Sequence, residues 1–191
     1  MGRQTDLAFA REDEVIPASL RLVRDFVNTV EYQEDEEGWD DPADLGAWLS
    51  ARGLLAASSA PVVTADDLAL AKTVREGLRS VLAGHAGHEV DASAVGRLDA
   101  ALAELPVRVS FASSFALAPA SADGVRAALA GVLDAVRASH EDGSWPRLKV
   151  CDRATCRWAY YDYSKNRSSR WCTMAGCGNA VKMQKRAASA V

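Results

Sequence analysis

The sequence predicts an α+β chain in two parts: a mainly helical N-terminal domain with a β-hairpin, followed by a small C-terminal four-cysteine module made of a hairpin and a helix. Three observations carry this. Apolar residues recur with helical spacing through most of residues 1–146. Around residues 107–117 the period falls to two. All four cysteines and a large surplus of positive charge lie in the last quarter. With 191 residues, 49% of them hydrophobic and 25% charged, the chain can build a core in one or two small domains, which excludes a disordered or collagen-like protein.

The N-terminal part begins polar, and then Leu20, Val23, Phe26, Val27 and Val30 predict an amphipathic helix over residues 19–30. Seven acids crowd into Glu31–Asp41, a pattern expected of a solvated loop because packed like charges repel. Asp41, Pro42 and Asp44 then mark a helix start, with Leu45, Trp48 and Leu49 as its buried stripe and Gly53 as its stop. After a Pro/Ala/Ser stretch at 56–61, Thr64 and Asp67 mark a second capped start. The helix over 65–83 turns Leu68, Ala71, Val74, Leu78 and Leu82 inward. A helix over Ser93–Glu104 ends at Pro106, and Val107, Val109 and Phe111 alternate into a hairpin closed by a Ser-Ser turn before Phe115 and Leu117. Ser121 opens a last helix to about Ser139.

Nothing in this part points to catalysis. His85 and His88 form an H-x2-H in a Gly-rich turn, read as solvent-facing, and His140 stands apart. No phosphate-binding loop, dinucleotide fingerprint or nucleophile elbow is present, so no enzyme is expected. Asp25 and Asn28 interrupt an apolar helix and fit either its polar edge or the lining of a pocket.

Divided along the chain, the net charge of −4 becomes −12 for residues 1–146 (12 Lys+Arg, 24 Asp+Glu) and +8 for residues 147–191 (10 against 2). In the basic part, Cys151, Cys156, Cys172 and Cys177 are spaced C-x4-C-x15-C-x4-C. Each pair brings two thiolates to one ion, and the insert lets the second pair complete a tetrahedron. Two disulfides, or four unrelated thiols, are the alternatives. A reducing cytosol disfavours the first, and chance rarely places two equal pairs within 27 residues. One structural Zn²⁺ is the expected cofactor, although an iron–sulfur cluster uses the same ligands. Lys149, Arg153 and Arg157 are placed to offset the negative charge of four thiolates on one zinc. Between the pairs, Arg157–Tyr163 is strand-prone and Ser164-Lys165-Asn166 makes a turn, so that Arg167–Trp171 returns as a hairpin. Thr173 is placed to cap a helix running to about Ala188, with a later start near Asn179 as the alternative.

The run RLKVCDRATCRWAYYDYSKNRSSRWCTMAGCGNA resembles the CGNR zinc finger, in its paired cysteines, its R-W-x-x-Y-D and N-R-S-x-R-W-C segments and its closing C-G-N, over about Arg147–Lys185. Asp25-Phe26-Val27-Asn28-Thr29 resembles the D-F-V-N-T signature of the ABATE domain that precedes this finger, and Leu45–Leu55 its following helix. The resemblance implies an acidic ABATE-like helical domain over 1–146, a basic CGNR-type zinc finger over 147–191, and a stress-response transcription regulator that binds DNA. One departure stands out: where the motif closes with Arg, this chain has Ala180, which removes either a phosphate or base contact of roughly 1–3 kcal/mol or, if that Arg is a structural partner of a neighbouring carboxylate or carbonyl, a contribution to stability.

Arg167, Arg170, Lys182, Lys185 and Arg186 are therefore the candidate nucleic-acid contacts, with Lys182 and Arg186 four apart on one helix face. The finger's aromatic residues are expected to be mostly core, with Tyr161 or Tyr163 as surface exceptions. The expected partners are DNA, a small-molecule or protein signal at the N-terminal domain, and a second copy in a homodimer. The competing reading is a protein-interaction or ligand-sensing module whose finger is purely structural, its cationic surface docked on the acidic body. With no apolar run long enough to span a bilayer and an acidic start where a secretion signal needs an apolar core, a cytoplasmic protein without a membrane partner is expected.

Overall fold

Three helix starts along this chain are set by side chains that supply what the first turn lacks. The Asp41 carboxylate accepts from the N–H groups of Ala43 and Asp44, and Asp44 accepts in return from the Asp41 N–H. Thr64 and Asp67 make the same reciprocal box, and Asp91 receives the N–H groups of Ser93 and Ala94. A computed structural model describes residues 10–55, 62–112, 115–120 and 124–189. After a helical stretch at 10–15, its longer helices are α1 (Ala18–Val27), α2 (Pro42–Ala51), α3 (Ala65–His85), α4 (Ala92–Ala103), α5 (Gly124–Glu141) and α6 (Asn179–Ala188). Three two-stranded antiparallel sheets accompany them: β1 (Val30–Glu31) with β2 (Glu36–Glu37), β3 (Val107–Ser110) with β4 (Ala116–Pro119), and β5 (Leu148–Val150) with β6 (Ala159–Tyr161). The predicted stretch at 56–61, the Ser113-Ser114 turn and the helix start at Ser121 lie outside the described residues. Among the described residues no helix is long and apolar enough to cross a membrane.

The predicted class, helical with small hairpins, is the observed one. The core gathers Leu20, Val23, Phe26 and Val27 of α1, Leu45 and Leu49 of α2, Val74, Leu78 and Leu82 of α3, and Leu129 and Val132 of α5. Phe26, Trp39 and Trp48 meet edge to face, with centroids 5.3–5.7 Å apart. Leu148, Val150 and Ala159 of the β5–β6 hairpin belong to this same core, so the segment carrying the first cysteine pair closes the helical body. α3 runs along α4 and also packs on β5. The close approach of α3 and α4 depends on Gly77, where a Cβ would stand 2.4 Å from the Leu98 Cβ.

Four local expectations are corrected. α1 ends at Val27 rather than at residue 30, because Val30 is drawn into β1 opposite Glu37. The acidic run is not wholly solvated: Trp39 is fully buried, and Glu37 is held by Arg75 through two 2.7 Å bonds. In the C-terminal module the strand after Cys156 pairs backwards with Leu148–Val150, not forwards with Arg167–Trp171, because the apolar face of β5 offers it a place in the core. The histidines are not simply solvent-facing. The His85 Nδ1 bonds the Leu148 carbonyl at 2.8 Å, its ring stands edge-on to Trp145 at 5.2 Å, and His140 lies over the same indole at 5.3 Å. His88 reaches Asp152, Nε2 to Oδ1 3.4 Å.

Two predictions follow from this packing. Gly77→Ala forces α3 and α4 apart and is expected to lower stability by about 1–3 kcal/mol, read as a fall in Tm. Burial, with His140 and Lys149 nearby, holds the His85 pKa below its ordinary value despite the bond to Leu148. The unfolded chain then takes up that proton more readily, so this contribution is intact above about pH 6.5 and is lost as the pH falls below it. His85→Asn keeps a donor toward Leu148 without the titration and should flatten the acid side of a Tm–pH profile.

Candidate metal centre and adjoining cleft

Cys151 leaves the end of β5 and its N–H donates to the Trp158 carbonyl at 2.9 Å. The Cys156 N–H donates to the Arg153 carbonyl at 2.8 Å, which closes the first knuckle, and a left-handed residue, Arg157 (φ 52°), turns the chain into β6. The Asp152 N–H donates to the Arg170 carbonyl at 2.8 Å and ties the first knuckle to the approach of the second. There Thr173 accepts from the Gly176 N–H at 3.1 Å and caps a π-helical turn, Met174–Gly178, with Cys177 inside it. The α-helix proper starts only at Asn179, so Thr173 caps the turn and the later start holds for the helix.

These turns place the four ligand sulfurs within 4.8 Å of one another. Cys156 and Cys172, and Cys172 and Cys177, have Sγ–Sγ separations of 3.7 Å. Four sulfurs at about 2.3 Å from one tetrahedral zinc lie about 3.8 Å apart, so the set fits the ion. Hydrogen bonding to Cys151 drives the Cys156 and Cys172 thiols upward, a conflict a divalent cation relieves. With four protein ligands the site is closed and structural.

Of the three cations expected to offset the thiolates, Arg153 does so, with Nη1 3.9 Å from the Cys177 Sγ. Arg157 stands over Tyr32 at 4.6 Å instead, and Lys149 pairs with Asp162. Asp162 is almost completely buried and organises the loop between the cysteine pairs. It accepts from Lys149 Nζ (2.7 Å), from the Ser164 N–H and hydroxyl (3.0 and 2.6 Å), and from the Ser169 N–H (3.0 Å). Burial acts to raise its pKa, but the bonds from Lys149 and Ser164 outweigh it and hold the carboxylate below its ordinary value. The Arg167 carbonyl, presented by a second left-handed turn (φ 52°), receives Lys149 Nζ at 2.6 Å.

Among the described residues the outer edge of β6 has no third strand. The Asn28 amide takes its place, donating to the Ala159 carbonyl and accepting the Ala159 N–H, both at 2.8 Å, while the buried Glu12 accepts the Tyr161 N–H at 3.1 Å and Arg24 Nη1 at 2.9 Å. Arg79, almost fully buried, donates to the carbonyls of Val27 and Arg157 and to Glu76, and stands 4.9 Å over Tyr32.

Residues 147–188 match the CGNR zinc finger family, and residues 20–114 match the ABATE family, described as "Putative stress-induced transcription regulator". The chain carries an ABATE domain followed by a CGNR zinc finger. None of the curated proteins matches it. In this ABATE–CGNR chain the D-F-V-N-T segment lies on the finger: Asn28 bonds β6, and Asp25, Asn28 and Thr29 line a cleft of about 740 Å³ that Trp158 of the first knuckle also walls. Asp25 and Asn28 are thus pocket residues, the second of the two readings of that helix edge.

Arg167, Lys182, Lys185 and Arg186 are exposed, and none forms an ion pair among the described residues. Arg170 differs, because its guanidinium pairs with Asp152 at 2.5 Å and stands 5.6 Å from the Trp171 ring centre. Tyr160 is core, its hydroxyl donating to the Ser169 carbonyl at 2.7 Å, and Tyr163 is exposed. Ala180 sits half-buried in the first turn of α6. Sequence reasoning missed Glu12, Arg79 and Asp162, charged residues whose type gives no sign of burial.

Elemental analysis of the ABATE–CGNR protein should find one zinc per chain. Lys149→Met strands the Asp162 carboxylate and is expected to cost about 3–5 kcal/mol of stability, measured by denaturant unfolding.

Proposed function

We propose that this ABATE–CGNR protein is a DNA-binding transcriptional regulator in which the zinc finger supplies the DNA surface and the N-terminal domain receives a signal. The observation that carries the reading is the fate of the finger's two acids. Asp152 is engaged by Arg170 and His88, and Asp162 by Lys149, which leaves Lys165, Arg167, Lys182, Lys185 and Arg186 exposed with no carboxylate partner among the described residues. Uncommitted cations on a loop and an adjoining helix are suited to phosphates, where displaced counterions drive association.

The family description supports a regulator at that coarser level. The finger packs on the N-terminal body through β6 and its core residues, not through the cationic surface that the alternative reading invoked, and these five cations stay exposed. What favours a non-nucleic-acid module is Arg170, whose charge is already paired.

Because the finger shares its core with the helices, the test uses the zinc-loaded full chain. Fluorescence anisotropy with duplex DNA across a salt series should show affinity falling steeply with salt. Charge reversal at Arg167, Lys182 and Arg186 should weaken binding and reduce the slope by roughly 0.9 per lost phosphate contact. A full chain that binds no duplex at low salt would establish the structural-finger reading instead.

A further inference from the structure

The two strands of the β3–β4 hairpin are unequally covered. β4 lies along α5, and the Leu117 N–H donates to the Asp134 carboxylate at 2.7 Å. On the β3 side no such cover is present among the described residues. The Ala120 N–H donates to the Pro106 carbonyl at 3.0 Å, so these two residues form a bonded pair, and by alternation Arg108–Ala118 and Ser110–Ala116 are the next ones. The N–H and C=O groups of Val107 and Val109 therefore point away from β4. Among the described residues none of these groups has a hydrogen-bond partner.

The side chains along this edge are an independent observation. Val107, Val109 and Phe111 share one face of the strand and are 38%, 49% and 77% exposed. Phe111 meets Phe115, itself 49% exposed, with ring centroids 5.8 Å apart. Of the ten large hydrophobic side chains left exposed among the described residues, these are four, so the apolar exposure is concentrated here and not scattered. Native sheets guard a free edge with charges, bulges or a covering element. Between Leu105 and Ala122 the chain carries one charge, Arg108, although residues 1–146 together hold −12. Two acidic bodies that repel elsewhere can approach here over nearly neutral surface.

We propose that β3 is the pairing edge of a homodimer: two copies join antiparallel through it, about a two-fold axis at Val109, and build one four-stranded sheet. The register follows from the strand's own chemistry. Centred at Val109, the outward N–H and C=O of that residue bond those of the partner's Val109, and Val107 exchanges bonds with the partner's Phe111, the next residue in the alternation. Arg108 then stands opposite the partner's Ser110. Centred one residue earlier, Arg108 would face the partner's Arg108, and like charges directly opposite destabilise an antiparallel pair. The Val109 register also runs the two apolar faces together into one stripe. Such a contact is isologous and consumes both free edges, so assembly stops at two. It does not depend on the DNA-binding reading.

The test is the oligomeric state of the zinc-loaded full chain in the absence of DNA. Sedimentation equilibrium from about 1 µM to about 500 µM should show a reversible monomer–dimer equilibrium with no larger species. Val109→Lys sets two ammonium groups opposite one another at the axis and should weaken the dimer about tenfold or more, with an unchanged circular dichroism spectrum. Should that variant misfold, Phe111→Lys, at the most exposed position of the edge, gives the same readout. Arg108→Ala removes a side chain that faces only serine and should leave the dissociation constant within about threefold. A tightening beyond that marks the Arg108-centred register and overturns the proposal. Met183→Lys, on the exposed surface of α6, should leave the dimer intact. A chain that stays monomeric throughout, which leaves the edge to a foreign strand, overturns the proposal. So do a dimer untouched by the lysine variants of β3, one broken by Met183→Lys, and growth beyond two copies.

Discussion

A two-stranded hairpin is marginal in water, and its free edge must be satisfied if it is to be buried. The β5–β6 hairpin meets this requirement with side chains, since Asn28 pairs with both backbone groups of Ala159 and Glu12 accepts the N–H of Tyr161. Much else rests on those contacts. They hold Leu148, Val150 and Ala159 in the helical core and fix where both ends of the first knuckle emerge. They also place Trp158 at the mouth of the cleft. The four-sulfur site is built on a hairpin that the N-terminal body holds from the outside.

Two kinds of buried charge reinforce this arrangement. Lys149 with Asp162 is an ion pair whose remaining hydrogen-bonding capacity is taken up by Ser164, Ser169 and the Arg167 carbonyl, the condition under which a buried pair is tolerated. Arg79 ties the end of α1, Glu76 and the first knuckle through one planar group, which a lysine's point charge would not match. Lys149 and Asp162 fix the loop between the cysteine pairs within the finger, and Arg79 fixes which surfaces of body and finger face one another.

The sequence was most legible where chemistry is local. Both capping boxes, the apolar stripes and the metal ligands depend on residues a few positions apart, and all are seen in the structure. It was least legible where the partner is remote. Asn28 lies 131 residues from Ala159, and Glu12 lies 149 from Tyr161, so neither can be paired by periodicity. The local pattern puts the hairpin one strand too late for a related reason: Arg157–Tyr163 has strong strand character in either pairing, and only the core decides that its partner is Leu148–Val150. The exposed Val109 and Phe111 show the opposite error, since alternation located the strand but not the face that is covered.

The shared core also bears on how the protein comes to be made. Chains emerge from the ribosome N-terminus first, so α1 waits through more than a hundred further residues for the strand that its Asn28 grips. Until then the helices carry an open apolar face and unmatched polar groups, and the second cysteine pair arrives later still. The four-thiolate site is complete only once Cys177 has been made, after every helix of the body. For the same reason the finger would not travel alone in gene rearrangement: to keep its hairpin edge satisfied, it must take the helical body with it.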